Sequence, residues 1–160
     1  MLELQPEYKG LFLVGKLFPK ENEQPSWLKQ NMESRIVATA ALSFHTDSRE
    51  NFATLPPPEN AAYLCNIAVD PTFRRQGYAR RMLAACESIA SAQGFPDLYL
   101  HLRLADTAAR SLYESSGYSQ VDADSWLIKL RGLTPSALMV KHLIKEGRES
   151  PLDEHSCKRS

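Results

Sequence analysis

Short apolar runs and longer stretches with helical periodicity follow one another along the chain, separated by polar and proline-rich segments. Four short runs contain β-branched or aromatic residues and predict strands over 10–18, 35–45, 61–70 and 136–143. The clearest strand signal lies in 97–104, where leucine occupies every second position. Tyr99, His101 and Arg103 stand between the leucines and therefore belong to the opposite face of that strand. A last strand is predicted over 125–130.

Two segments repeat apolar residues at intervals of three and four, which predicts helices that bury one face. The first has its apolar positions at Ala79, Met82, Leu83, Cys86, Ile89 and Ala90. Gly94 stands where such a helix is expected to end. The second helix is predicted to start after Asp106, a suitable N-cap, and to end at Gly117.

Three segments are predicted to be irregular. Residues 46–60 include three consecutive prolines, which lack the N–H that a sheet requires, so they predict a surface loop. A second loop is predicted over 19–24, and the polar, aperiodic stretch 146–160 is predicted to be a disordered tail. We therefore expect a single domain over 1–145, with its core motifs in 35–143.

The composition mainly excludes kinds of partner and site. The 160 residues carry 19 Lys+Arg and 19 Asp+Glu, and zero net charge argues against a dedicated nucleic-acid partner. No apolar run approaches the ~20 residues of a membrane span, and the first residues resemble neither a signal nor a transit peptide. Cys65, Cys86 and Cys157 form no C-x-x-C pair, and no histidine has metal-ligand spacing, so no metal is expected. Cys65 and Cys86 are expected to be small core residues.

The candidate chemistry lies where a buried strand enters the first helix, over 69–79. A helix start offers unpaired N–H groups and the positive end of the helix dipole, and Gly77 permits close approach of an anion. Arg74 and Arg75 add positive charge. This junction favours a phosphate-bearing ligand, although a turn with two solvated arginines has the same pattern.

Three ordered sequence blocks resemble the GNAT superfamily of N-acetyltransferases. R-R-Q-G-Y-A at 74–79 fits the pattern Q/R-x-x-G-x-G/A and follows N-I-A-V-D-P, while 100–118 (LHLRLADTAARSLYESSGY) resembles the family's second block. The resemblance covers 35–143 and is closest to bacterial-type protein N-terminal acetyltransferases and to the cyanobacterial and plastid branch. It implies an α+β fold with a mixed sheet, helices on both faces, and a splay where strands 62–69 and 97–104 part.

The resemblance also implies a role for particular residues. The expected acetyl-CoA-binding residues are Ile67, Ala68 and Val69 for the acetyl group and pantetheine arm, and Arg74, Arg75, Gln76, Gly77, Tyr78, Ala79 and Arg80 around the pyrophosphate. Asp106 occupies a position where the family typically has Asn that contacts CoA. Tyr113 matches the tyrosine that protonates the departing thiolate. His101 aligns with a position that holds a glutamate base in the N-terminal acetyltransferase branch.

The implied reaction is acetyl transfer from acetyl-CoA to a primary amine, without a metal. An α-amine has a pKa of ~8 and a lysine ~10.4. A neutral imidazole can therefore deprotonate an α-amine at neutral pH, whereas a lysine needs a stronger base or a site that lowers its pKa. The expected acceptor is an N-terminal α-amine or a lysine of a protein or peptide. A catalytically silent acyl-CoA-binding domain, a small-molecule amine acetyltransferase and a non-enzymatic interaction module stay open.

Family members usually begin with a strand and two helices, for which the residues before Arg35 leave little room. These elements are therefore expected to be reduced or missing, or the chain is a fragment of a longer precursor. A cytoplasmic location is expected, or a plastid one if a transit segment has been removed. No membrane partner is expected, and the chain is expected to be a monomer or a homodimer.

Overall fold

Six strands form one mixed sheet in the computed structural model, which describes residues 9–17, 34–49 and 51–143. The strands are β1 (Gly10–Leu17), β2 (Arg35–Ser43), β3 (Ala62–Val69), β4 (Asp97–Arg103), β5 (Ser119–Ala123) and β6 (Ser136–His142). The α-helices are α1 (Tyr78–Ala92) and α2 (Thr107–Ser115), and short 3-10 helices cover Thr46–Ser48, Pro71–Phe73 and Trp126–Arg131. The strand order is β1-β2-β3-β4-β6-β5, and all described neighbours are antiparallel except β3 and β4, which run parallel.

The core lies on the face of the sheet that carries the β4 leucines, here called the leucine face. Leu98, Leu100 and Leu102 are at most 1% exposed. Both described α-helices contribute to the same cluster, α1 through Met82, Leu83, Cys86 and Ala90 and α2 through Tyr113. The opposite face, here called the His101 face, carries Tyr63 and His101 and is covered in part by residues of the loop before β3.

The parallel strands β3 and β4 remain paired for only part of their length. Their register covers three pairs, Ala62–Leu98, Tyr63–Tyr99 and Leu64–Leu100. Beyond this point β3 continues to Val69 paired with β2 alone, and a register irregularity in β2–β3 falls at Cys65. We call this place the parting, and it confirms the splay that the family resemblance implied.

Most predicted elements are confirmed, with boundaries shifted by a few residues, and the fold is α+β. The strand predicted over 125–130 is wrong, because a 3-10 helix forms there, capped by the Ser125 side chain and fastened by buried Ile128. The last hairpin is built instead from β5, a short and largely exposed edge strand paired with β6. Its polar residues carry no strand signal, and tertiary pairing decides their structure.

Other expectations have different outcomes. The predicted loop over 46–60 is confirmed in its described part, which contains only the 3-10 turn Thr46–Ser48. Helices were expected on both faces; both described α-helices contribute to the cluster on the leucine face, and helices on the other face stay a prediction. The predicted loop over 19–24 and the predicted tail over 146–160 lie outside the described residues.

Candidate active site

The turn between β3 and α1 is fixed by its own polar residues. The Asp70 carboxylate accepts hydrogen bonds from the Thr72 N–H (2.8 Å) and the Thr72 hydroxyl (2.7 Å). Arg35 donates to the other oxygen of Asp70 (3.0 Å) and lies 4.8 Å from the ring centre of Phe73. The Thr72 hydrogen bonds and, after them, Arg35 lower the pKa of Asp70, so the carboxylate stays charged and holds the turn at neutral pH.

The start of α1 has backbone N–H groups that no side chain caps. Gly77 is the N-cap with φ 81°, and an added Cβ there meets no protein atom within 4 Å. The first backbone hydrogen bond of the helix runs from the Arg81 N–H to the Gly77 carbonyl (3.1 Å), so the N–H groups of 78–80 are available to a ligand. Arg75 also has a left-handed φ of 65°. Left-handed residues next to a helix start form a concave set of N–H groups that binds anions.

Of the three arginines predicted to surround the pyrophosphate, two have contacts within the protein. The Arg74 Nε donates to the Val69 carbonyl (3.4 Å). The Arg80 Nη2 donates to the Ser115 hydroxyl (2.9 Å) and so connects the start of α1 to the end of α2. Arg75 is exposed. The predicted anion-binding residues from Arg74 to Arg80 therefore lie together, around one open helix end.

The last residues of β3 lie beside this turn. Beyond the parting, Ile67, Ala68 and Val69 pair with β2 on one side, while the side towards β4 has no strand in register. Ile67 and Val69 also pack partly on the core. A ligand with amide groups can hydrogen-bond to such an open strand edge as an added strand does.

Tyr113 and Asp106 belong to α2. The Asp106 carboxylate accepts a hydrogen bond from the Ala109 N–H (2.9 Å), which confirms the predicted N-cap. Tyr113 is 7% exposed and packs against the ring of Tyr118, 5.8 Å away between ring centres. Burial, assisted by the negative charge of Asp106, raises the pKa of Tyr113 to about 12. Its hydroxyl is therefore protonated throughout the neutral range, as a proton donor must be.

Both ring nitrogens of His101 are hydrogen-bonded. Nε2 lies 3.0 Å from the Leu55 carbonyl oxygen, and Nδ1 lies 2.8 Å from the Tyr63 hydroxyl. A carbonyl only accepts, so Nε2 carries the proton, and Nδ1 of the neutral ring accepts from Tyr63. The Phe52 ring stacks on the imidazole with ring centres 4.8 Å apart. The sequence indicated His101 but not its partners Tyr63, Phe52 and Leu55, which come from another strand and a loop without local periodicity.

Cys65 and Cys86 differ in burial. Cys86 is fully buried in α1, and burial raises the pKa of its thiol to about 11, which confirms the predicted core role. Cys65 is half-buried at the parting rather than in the core, and its Sγ lies 3.9 Å from the Tyr63 carbonyl oxygen.

Among the described residues, no three His, Cys, Asp or Glu side chains are grouped to hold a metal ion, and no helix is long and apolar enough to cross a membrane.

Comparison with known proteins identifies the family. The model of the acetyltransferase (GNAT) family matches residues 4–118. A chloroplastic GCN5-related N-acetyltransferase 5 of Arabidopsis thaliana is 35% identical over 136 residues, which cover 82% of this chain and 41% of that protein. A ribosomal-protein-alanine N-acetyltransferase of Haemophilus ducreyi is 43% identical over 60 residues, 38% of this chain and 41% of that one. The chain belongs to the GNAT acetyltransferase family.

Solved structures agree on the fold. The crystal structure of a ribosomal-protein-alanine N-acetyltransferase from Escherichia coli has a TM-score of 0.54 at 20% identity, covering 88% of this chain and 99% of that chain. A streptothricin acetyltransferase homologue from Bacillus anthracis, solved with acetyl coenzyme A, has a TM-score of 0.55 at 16% identity, covering 84% and 87%. The matched regions span about two fifths of the curated relatives' length, 41% in both cases above.

Proposed function

We propose that this chain is an N-acetyltransferase domain that transfers the acetyl group of acetyl-CoA to a primary amine of a protein or peptide. The observation that carries the proposal is the parting of β3 and β4 beside the uncapped start of α1. Together they provide an open strand edge for a thioester arm and an anion site at the end of that edge.

In this proposal the chain binds acetyl-CoA at two places. The N–H groups of 75–80 hold the pyrophosphate, assisted by the charges of Arg74, Arg75 and Arg80. The backbone of Ile67, Ala68 and Val69 binds the pantetheine amides and directs the thioester towards the parting. Asp106 is proposed to contact the cofactor from the start of α2, although its carboxylate is already used as the N-cap.

The proposed reaction forms a C–N bond and breaks the thioester C–S bond. Strand N–H groups at the parting stabilise the negative charge on the carbonyl oxygen. Tyr113, which is protonated at neutral pH, donates its hydroxyl proton to the departing thiolate. His101 is proposed as the base, with a proton path through Tyr63: the hydroxyl takes the amine proton while its own proton passes to Nδ1. The resulting imidazolium keeps its Nε2–H bond to Leu55.

An N-terminal α-amine is the acceptor that this machinery fits best. Its pKa is about two units below that of lysine, so a histidine can deprotonate it at neutral pH. The names of two relatives, which act on the alanine of a ribosomal protein, support a protein acceptor. A plastid location is proposed beside a cytoplasmic one because relatives of Arabidopsis thaliana are named chloroplastic.

A second candidate function is acyl-CoA binding without turnover. It is favoured by the engagement of both His101 nitrogens, which leaves the imidazole without an open acceptor. Calorimetry with acetyl-CoA, followed by a thiol-release assay on a panel of N-terminal peptides, separates the candidates. Binding with turnover is the expected result. Binding without turnover supports the silent domain, and the absence of binding overturns both.

A further inference from the structure

The loop between β2 and β3 (residues 44–61, with residue 50 not described) folds back onto the His101 face. Two contacts hold its centre there. The His101 Nε2 donates to the Leu55 carbonyl at 3.0 Å, and the Phe52 ring stacks on the imidazole at an angle of 19°. Phe52 also meets the ring of Tyr63 edge-on, 5.1 Å between centres. The loop is therefore fastened to both parallel strands.

Arg49 closes the base of the same loop. Its guanidinium donates to the carbonyls of Pro58 (2.9 Å), Glu59 (3.3 Å) and Ala61. It also lies 5.9 Å from the ring centre of Tyr63. Between these anchors Leu55 has a left-handed φ of 51°, which a bulky residue adopts only when its surroundings hold it there. Such an arrangement is typical of a segment with one defined position.

This fastened segment lies at the parting. The last β3–β4 pair is Leu64–Leu100, so His101 is the first β4 residue beyond it, and Phe52 and Leu55 lie against His101. The leucine face near this point is closed by the core residues of α1 and α2. An acceptor amine therefore reaches the parting from the His101 face, past the loop.

Among the described residues, the β6 side chains in register with Tyr99 and His101 on this face are apolar. Register places Leu138 opposite His101 and Val140 opposite Tyr99, and both are at most 6% exposed. The cation of Arg49 is occupied by three carbonyls. Arg103, exposed two residues beyond His101, is the next cation along β4 and repels a cationic side chain.

We propose that the β2–β3 loop is the acceptor-selecting wall of this enzyme, with Phe52 and Leu55 contacting the side chain next to the reacting amine and favouring an uncharged, apolar one. This inference rests on the proposed function. A wall of aromatic and aliphatic carbon discriminates through buried apolar contact, which is worth about one to two orders of magnitude in kcat/KM for a group of this size.

The test compares peptides that differ only in their first residue, Leu, Ala or Lys. Phe52→Ala is expected to lower the kcat/KM ratio of Leu to Ala about tenfold and to leave the acetyl-CoA affinity within about twofold. Leu55→Gly is expected to shift the ratio in the same direction, and it suits the left-handed φ, so the variant folds. Phe95→Ala is the matched control, because Phe95 is also stacked on a ring, that of Phe44, but packs on the leucine-face core.

Three outcomes are distinguishable. A changed ratio in Phe52→Ala and Leu55→Gly, with an unchanged ratio in Phe95→Ala, supports the wall. An unchanged ratio in both loop variants, or an equal change in the control, overturns it while the acetyltransferase function stands. If the wild-type protein binds acetyl-CoA and acetylates none of the peptides, the proposed function fails and the wall fails with it.

Discussion

The two sides of the parting are built in opposite ways. On the proposed cofactor side, the open strand edge and the anion-binding N–H groups come from one continuous stretch, 67–80, and the start of α1 leaves its N–H groups uncapped. On the proposed acceptor side, the groups come from the β2–β3 loop and from His101, which is 46 positions beyond Leu55, and both ring nitrogens of His101 are hydrogen-bonded. An anion is bound by donors that the fold leaves unsatisfied, whereas the loop is held in place because its carbonyls accept hydrogen bonds from Arg49 and His101.

The two sides also differ in how their positive charges are placed. Arg74, Arg75 and Arg80 lie within seven residues on the cofactor side. On the proposed acceptor side, the guanidinium of Arg49 is partly buried and donates to loop carbonyls, and burial lowers its pKa. Substitutions on the cofactor side should therefore change ligand affinity, and those on the acceptor side should change turnover, selectivity or stability.

The largest effect is expected from Gly77→Asp. A carboxylate at this N-cap lies where the pyrophosphate is expected, and repulsion together with the lost close approach should weaken acetyl-CoA binding by about 10³-fold, or about 4 kcal/mol. Isothermal calorimetry measures the affinity. Gly94→Asp is the matched control, since Gly94 also has a left-handed φ and open space for a Cβ, but stands beyond the end of α1. Equal affinity in the two folded variants would remove the anion site from this turn.

The next effect concerns His101→Gln, which tests the acceptor side. If His101 is the base, kcat/KM rises with pH as a neutral imidazole forms, and the variant loses this limb and about 10²-fold in rate. Tyr63→Phe should show a similar loss if the proton passes through the hydroxyl. pH–rate profiles on one N-terminal peptide measure both. If kcat/KM rises over the same pH range in wild type and His101→Gln, the rise comes from ionisation of the substrate amine. His101 then only anchors the loop.

Tyr113→Phe should lower kcat by about 10- to 10³-fold with little change in the KM for acetyl-CoA, because only the proton donor is lost. Wild-type turnover in the Phe variant would exclude Tyr113 from the chemistry.

A stability measurement on the same variant is independent of catalysis. The Tyr113 pKa is raised from ~10 in the unfolded chain to about 12 in the folded one, so stability is intact below pH 10 and falls as pH rises towards 12. Between pH 9 and 11 this group should cost the wild type roughly 1.3 kcal/mol of unfolding free energy. Denaturant unfolding at both pH values should show that this part of the loss is absent in Tyr113→Phe. Equal losses in the two proteins would contradict the raised pKa.

An effect on stability of similar size is expected from Arg49→Lys. A lysine cannot donate to three loop carbonyls at once as the arginine fork does. The free energy of unfolding should therefore fall by about 1–2 kcal/mol, while acetyl-CoA affinity is unchanged. Arg103→Lys, at an exposed position, is the control and should leave stability within about 0.5 kcal/mol. A loss of cofactor affinity in Arg49→Lys would show that the two sides are not independent.

The sequence by itself determined the elements whose signals are local. Leucine alternation located β4, the spacing of three and four located α1, and Asp106 and Gly117 marked the limits of α2, because each pattern depends on residues within a few positions of one another. The cofactor turn was readable for the same reason, since its glycine, its arginines and the helix start are contiguous.

Tertiary structure decided what depends on residues far apart along the chain. Polar 119–123 became a strand because β6 lies beside it, and 125–130 became a 3-10 helix although its apolar residues favour a strand. Pairing between β3 and β4 ends at Leu64 and Leu100, and no residue type marks that point. The contact of His101 with Leu55 joins residues 46 positions apart, and only packing of the loop on the sheet creates it. Local energies select helices, strands and turns, whereas the groups that meet across an active site are selected by the sum of many distant contacts, which no short window of sequence contains.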